Sequence, residues 1–162
     1  MPAAPEAKLQ IVKAETTEDI AAVKSLFLYY LTFVTEYLGQ DLSFQGTEKE
    51  FAKFPQTYSA LFLAKRGKVP LGAVGLKLLR PDVVELKRLY VAPAGRGLNL
   101  GEKLSQAVIN EARRLGYTYL YLDTDPGLTH ANAIYEKLGF EDIPQYYENP
   151  LADQSRYMRL KL

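Results

Sequence analysis

The chain has 162 residues, 48% of them hydrophobic and 24% charged, with 20 basic and 19 acidic side chains and a formal net charge of +1. That length suits one domain with a substantial core, and the near balance of charge argues against a nucleic-acid partner. No cysteine and a single histidine exclude disulfides and thiol chemistry and leave too few soft ligands for zinc, so no metal is expected. No apolar run approaches the roughly 20 residues of a membrane span, and Met1-Pro2-Ala3-Ala4-Pro5 lacks the basic and apolar regions of a secretory signal. The expectation is a cytoplasmic protein with no membrane partner, residues 1–8 forming a flexible tail and 9–162 a single domain.

Residues 9–14 alternate as a strand. After Thr16-Thr17, which can cap, residues 20–38 recur at helical spacing, with Ile20, Val23, Phe27, Tyr30, Leu31 and Val34 on one side, until Gly39 ends the run. Thr47-Glu48-Lys49-Glu50 resembles a capping box opening a short second helix that stops by Pro55. Residues 58–65 and 72–79 read as strands joined around Arg66-Gly67-Lys68, and Arg80-Pro81-Asp82 turns into a third strand at 83–91, so the three form an antiparallel meander. Ala92-Pro93 breaks that strand, and Leu100, Leu104, Val108, Ala112 and Leu115 then carry a long helix to Gly116. A buried strand at 119–123, a helix at 129–138 ended by Gly139, and strands at 141–147 and 156–162 complete the chain. The order βααβββαβαββ predicts an α/β fold with a mixed, partly antiparallel sheet of about seven strands flanked by four helices.

The basic, glycine-studded turn from Gly95 to Gly101 reads as a phosphate-binding loop. Arg96 stands beside a helix N-terminus, where free backbone N–H groups and the positive end of the helix dipole make an anion site. A Walker A loop would need Lys after its last glycine, whereas Gly101 is followed by Glu102, Lys103 and Leu104. A dinucleotide fingerprint comes nearer, with Gly95-Arg96-Gly97 after a strand and Asp123 ending the next, but Leu100 occupies the third glycine position and a meander precedes the loop. A nicotinamide oxidoreductase is therefore a distant alternative.

The segment Arg96-Gly97-Leu98-Asn99-Leu100-Gly101 is similar to the Arg/Gln-x-x-Gly-x-Gly/Ala acyl-CoA loop of the GNAT superfamily of N-acetyltransferases. It lies between a Leu89-Tyr90-Val91 strand end and an amphipathic helix, and Ile134-Tyr135-Glu136-Lys137-Leu138-Gly139-Phe140 resembles that family's later helix end. The resemblance implies acetyl-CoA as co-substrate, its pyrophosphate held by Arg96, Gly97, Leu98, Asn99, Leu100 and Gly101 and its pantetheine arm paired along Leu89, Tyr90 and Val91. It implies transfer to a primary amine by direct attack in a ternary complex, with Glu85 as the base that deprotonates the amine, directly or through water, and Tyr135 as the acid that protonates the leaving thiolate.

Two positions depart from the family pattern. Asn99 replaces the loop's first glycine, and Asn is the non-glycine residue that best tolerates left-handed backbone. Leu128 replaces an asparagine that often holds pantetheine, so that bond is either missing or supplied by Asn132. In such a fold Tyr30, Phe44, Gln45, Lys87 and Tyr146 frame the acceptor, with Lys87 able to hold a substrate carboxylate. The preferred acceptor is a small-molecule amine such as an amino acid or related metabolite. A protein or peptide N-acetyltransferase and a non-catalytic acyl-CoA sensor are the alternatives, and a homodimer is compatible with either.

Overall fold

Proline and glycine punctuate the chain where the sequence pattern changes period. The computed structural model describes residues 7–38, 47–149 and 155–162. In chain order the elements are β1 (Leu9–Lys13), α1 (Thr17–Leu38), α2 (Thr47–Ala52), β2 (Ala60–Arg66), β3 (Val69–Arg80), β4 (Val83–Val91), a single 3-10 turn (Pro93–Gly95), α3 (Leu100–Arg114), β5 (Tyr119–Thr124), α4 (Thr129–Lys137), β6 (Glu141–Asp142) and β7 (Arg156–Lys161). Thr16 starts α1, its Oγ1 accepting from the Asp19 N–H at 3.1 Å. Gly67, Gly116 and Gly139 take positive φ where turns require it.

The seven strands form one sheet in the order β1-β2-β3-β4-β5-β7-β6, antiparallel throughout except for the parallel pair β4–β5. This is the mixed α/β architecture expected from the element order. One face packs against α3 through a core that includes Val74, Leu76, Val84, Leu104, Val108 and Leu120. The other packs against α1 through Val23, Phe27, Leu61, Leu63 and Ala73. Alternation along each strand sends successive side chains to these two faces. Among the described residues no helix is long and apolar enough to cross a membrane.

One expected strand is much shorter than the sequence pattern predicted. Instead of 141–147, only Glu141 and Asp142 pair with β7. Ile143 still donates its N–H to the Tyr157 carbonyl, but Pro144 has no N–H to continue the ladder, and residues 143–149 run as an irregular segment. That segment is what brings Tyr146 and Tyr147 across the sheet.

A charged tie joins the first strand to the central helix. Glu111 on α3 accepts from Arg114 Nη2 at 2.5 Å and from Lys13 Nζ at 3.0 Å. The Arg114 guanidinium, and after it the Lys13 ammonium, hold the Glu111 carboxyl down at about 2, against an ordinary 4.5. A carboxyl depressed by folding stabilises the native state above its unfolded pKa, and that stability is lost as pH falls through 4.5 towards about 2. Glu111→Gln is therefore expected to cost about 1 kcal/mol at neutral pH, Arg114 being largely exposed, and to flatten the acid limb of the stability curve. Urea unfolding from pH 2 to 7 checks this; an unchanged acid limb refutes it.

Candidate active site

The turn after β4 is built around an open N-terminus. Gly97 has φ 81° and Asn99 φ 60°, so the chain turns left-handed twice before α3 begins at Leu100. Asn99 thus adopts the conformation that glycine would supply, and its Nδ2 donates to Glu102 Oε2 at 3.1 Å. The first cap bond of α3 is Lys103 N–H to the Asn99 carbonyl, so the N–H groups of the helix's first turn have no intrahelical acceptor. Those unpaired donors and the helix dipole form an anion cradle. Arg96 and Asn99 are exposed, Leu98 is half-buried against the core, and Leu100 is buried beneath the turn. At Gly101 α3 comes close to α4, since a Cβ there would lie 2.8 Å from Ile134 Cδ1.

Beside this turn the sheet parts. β4 pairs with β5 only at Val83↔Tyr119, Val84↔Leu120 and Glu85↔Tyr121, although both strands run on. The edge of β4 through Leu89, Tyr90 and Val91 therefore has no β5 partner and faces an opening. A bulge lies in the same stretch, because β3 advances from Ala73 to Gly75 while β4 steps from Tyr90 to Lys87. Arg88 occupies it with φ 57°. Leu86 and Leu89 pack into the α3-side core and Tyr90 into the α1-side core, so Lys87 and Arg88 both fall on the α1 side.

Two carboxylates border the opening on that face. Glu85, 5% exposed, accepts a short hydrogen bond from the Tyr146 hydroxyl, and Asp123 accepts one from the Tyr147 hydroxyl at 2.7 Å. Lys87 Nζ lies between them, 3.6 Å from Glu85 and 3.8 Å from Asp123. Burial first, and then the negative charges of Glu85 and Asp123, push the Tyr146 hydroxyl far above its ordinary pKa; burial and Asp123 do the same for Tyr147. Both remain protonated donors at neutral pH. The Tyr146 ring stacks edge-on against Tyr121 at 5.1 Å and Tyr157 at 5.5 Å, which fixes the irregular segment over β5 and β7.

Tyr135 reaches the opening from the other side. Its ring packs on Phe140 at 5.7 Å within the α3-side core. Burial, then Tyr30 and the charge of Asp123 raise its hydroxyl well above the usual tyrosine range, so the hydroxyl lies in the field of groups on the opposite face. Burial is also the chief cause of the raised pKa of Tyr30, whose ring meets Tyr90 at 6.3 Å. Asn132 is buried near the start of α4. Its Oδ1 accepts from Thr124 Oγ1 at 2.9 Å and its Nδ2 donates to the Asp125 carbonyl at 3.0 Å, so the amide braces the β5–α4 connection.

Glu85, Lys87, Tyr146, Tyr30 and Tyr135 are thus gathered around the unpaired edge of β4, with the anion turn at its end. A family model described as "Acetyltransferase (GNAT) family" matches residues 28–140. The chain belongs to the GNAT acetyltransferase family. An uncharacterized N-acetyltransferase of Schizosaccharomyces pombe is 33% identical over 160 residues, covering 95% of each chain. An acetyltransferase structure from Streptococcus agalactiae superposes with a TM-score of 0.76 at 19% identity, covering 95% of this chain and 98% of that one. A structure of yncA, a putative acetyltransferase from Salmonella typhimurium described with its cofactor acetyl-CoA, gives a TM-score of 0.67 at 20% identity, with 94% and 93% covered.

Of the candidate acceptor residues of this acetyltransferase, Phe44 and Gln45 lie outside the described residues. The structure adds site residues that sequence reasoning did not assign to acetyl transfer: Asp123, Tyr147 and the Arg88 bulge. Asp123 carried a signal as the acid ending β5, where the dinucleotide alternative alone had given it a role. Tyr147 adjoins Tyr146 in sequence, but nothing local ties it to Asp123, and an arginine in left-handed backbone has no sequence signature.

Proposed function

We propose that this acetyltransferase moves an acetyl group from acetyl-CoA to the primary amine of a small molecule by direct attack in a ternary complex. The observation that carries the reading is the parting of β4 from β5 beyond Glu85↔Tyr121, next to the open N-terminus of α3 after the left-handed turn at Gly97 and Asn99. The turn would hold the pyrophosphate, and the free edge from Leu89 to Val91 would pair with the pantetheine arm as an added strand does. A backbone N–H of that edge would polarise the thioester carbonyl.

Glu85 is the base in this reading. It removes the ammonium proton, directly or through one water, and the neutral amine attacks the carbonyl carbon. Tyr135 returns a proton to the departing CoA thiolate, its buried hydroxyl being protonated at neutral pH. Tyr30, Lys87 and Tyr146 would contact the acceptor. Glu85 and Asp123 against the single ammonium of Lys87 leave excess negative charge, which favours an acceptor that arrives as an alkylammonium.

A thiol-release assay with acetyl-CoA and a panel of amines tests the proposal. Turnover with a small amine supports it; turnover with peptides only, or binding of acetyl-CoA without turnover, overturns the small-molecule or the catalytic reading respectively. Tyr135→Phe is expected to lower kcat by about 10- to 100-fold while acetyl-CoA affinity stays within about threefold. An unchanged kcat refutes the acid role.

A further inference from the structure

The left-handed backbone at Arg88 and the buried ion pair of its side chain take no part in the chemistry above. Among the described residues only Asp82, Arg88 and Asn99 have positive φ without being glycine. Asp and Asn tolerate that conformation in turns, whereas an arginine inside a strand must be held there. The grip is visible. Arg88 Nε lies 3.1 and 3.2 Å from the two carboxylate oxygens of Glu50 on α2, and Nη2 lies 2.6 Å from Oε2. The two side chains are 3% and 10% exposed. This is a planar, forked pairing closed to water.

A second set of contacts fixes Glu50 itself. The Tyr58 hydroxyl donates to Glu50 Oε1, and the Tyr58 ring packs on Phe27 at 5.6 Å and Phe54 at 5.8 Å. β3 makes room for that ring with Gly75, where a Cβ would fall 2.5 Å from Tyr58 Cε1. Gly75 is opposite Lys87, at the step where the β3–β4 register breaks. Glu50 from α2, Tyr58 from the segment before β2 and Gly75 from the neighbouring strand therefore converge on the bulge.

The bulge decides what the rest of β4 presents. Because an inserted residue reverses the faces of every residue after it, Leu89 and Val91 reach the α3-side core and Tyr90 meets Tyr30 only while Arg88 stays in its left-handed turn. Beyond Glu85 no β5 ladder fixes that edge. We propose that the Glu50–Arg88 pair is a positioning device for the acetyl thioester: it holds the bulge so that the unpaired Leu89–Val91 edge is aimed at the thioester carbonyl. This rests on the acetyl-CoA reading above, and the two residues act through the backbone without touching the reacting atoms.

Isotope-edited infrared spectroscopy of bound [1-13C]acetyl-CoA reads that aim directly, since a hydrogen bond to the thioester carbonyl lowers its stretching frequency. The wild type is expected to lower the band relative to free acetyl-CoA. Glu50→Gln, which removes the charge, and Arg88→Gly, which keeps the left-handed turn accessible but frees it, should each lose about half or more of that shift. Their acetyl-CoA dissociation constants should stay within about threefold, and the double variant should lose no more than either single one. A full shift in either folded variant overturns the proposal, as does a lowered melting temperature with the shift intact. Should Glu50→Gln fail to fold, Arg88→Gly decides, because the carboxylate it leaves behind keeps the Tyr58 hydroxyl as a donor; failure of both makes the pair structural only and also overturns it. If the wild type does not bind acetyl-CoA, the donor reading falls instead, whereas binding with an unshifted band sinks the positioning proposal alone.

Discussion

Glu85→Gln is expected to lower kcat by about two to three orders of magnitude at pH 7, the size of a lost general base. The amide is isosteric and can still accept from Tyr146, so the Tyr146 segment keeps its anchor. Only the ability to take a proton is removed. An alkylammonium with a pKa near 10 leaves roughly one molecule in a thousand neutral at pH 7, and the variant would have to draw on that fraction. Its deficit should therefore shrink as the assay pH approaches about 10, where the solvent performs the deprotonation. Thiol-release kinetics between pH 6 and 10 measure both effects. A kcat within about threefold of the wild type at pH 7 removes Glu85 from the role and turns attention to Asp123, which borders the same opening.

Phe27→Ala should cost about 3–5 kcal/mol of folding stability. Phe27 is 0% exposed on α1 and meets Phe54 edge-on at 6.1 Å and Tyr58 at 5.6 Å. Nothing small fills the space, since its neighbours are rings already fixed by one another. For a domain of this length the loss corresponds to a fall in melting temperature of roughly 6–20 °C, read by calorimetry or circular dichroism. A fall below about 1 kcal/mol would mean that the α1 side of the sheet repacks freely, contrary to the aromatic cluster described.

The element order was legible because proline and glycine mark nearly every boundary: Pro93 ends β4, Gly116 and Gly139 end helices, and the apolar period shifts between them. The phosphate turn was legible for the same reason, being continuous in sequence. The last hairpin was not, since the apolar and aromatic residues between Ile143 and Tyr147 read as a strand while Pro144 denies them a ladder. The carboxylate pair and its tyrosines were only half visible, because Glu85 meets Tyr146 across 61 positions and Asp123 meets Tyr147 across 24. Local pattern carries no information about which tyrosine caps which acid. Arg88 was invisible for a further reason: the carboxylate that pairs with its side chain, Glu50, lies 38 residues away, and arginine has no propensity of its own for left-handed backbone.

Gly101 lets the first turn of α3 touch α4 without an intervening side chain, and Lys137 at the end of α4 reaches back 2.9 Å to Glu102 in that same first turn. These two contacts tie the turn proposed to hold the donor's phosphates to the helix that carries Tyr135. In the proposed reaction, bending the turn to change its grip on the donor would also move the Tyr135 hydroxyl that is assigned to the departing sulfur. Divergence in acceptor is correspondingly cheap on the other face, where Tyr146 and Tyr147 hang from an irregular segment with no stake in the donor site.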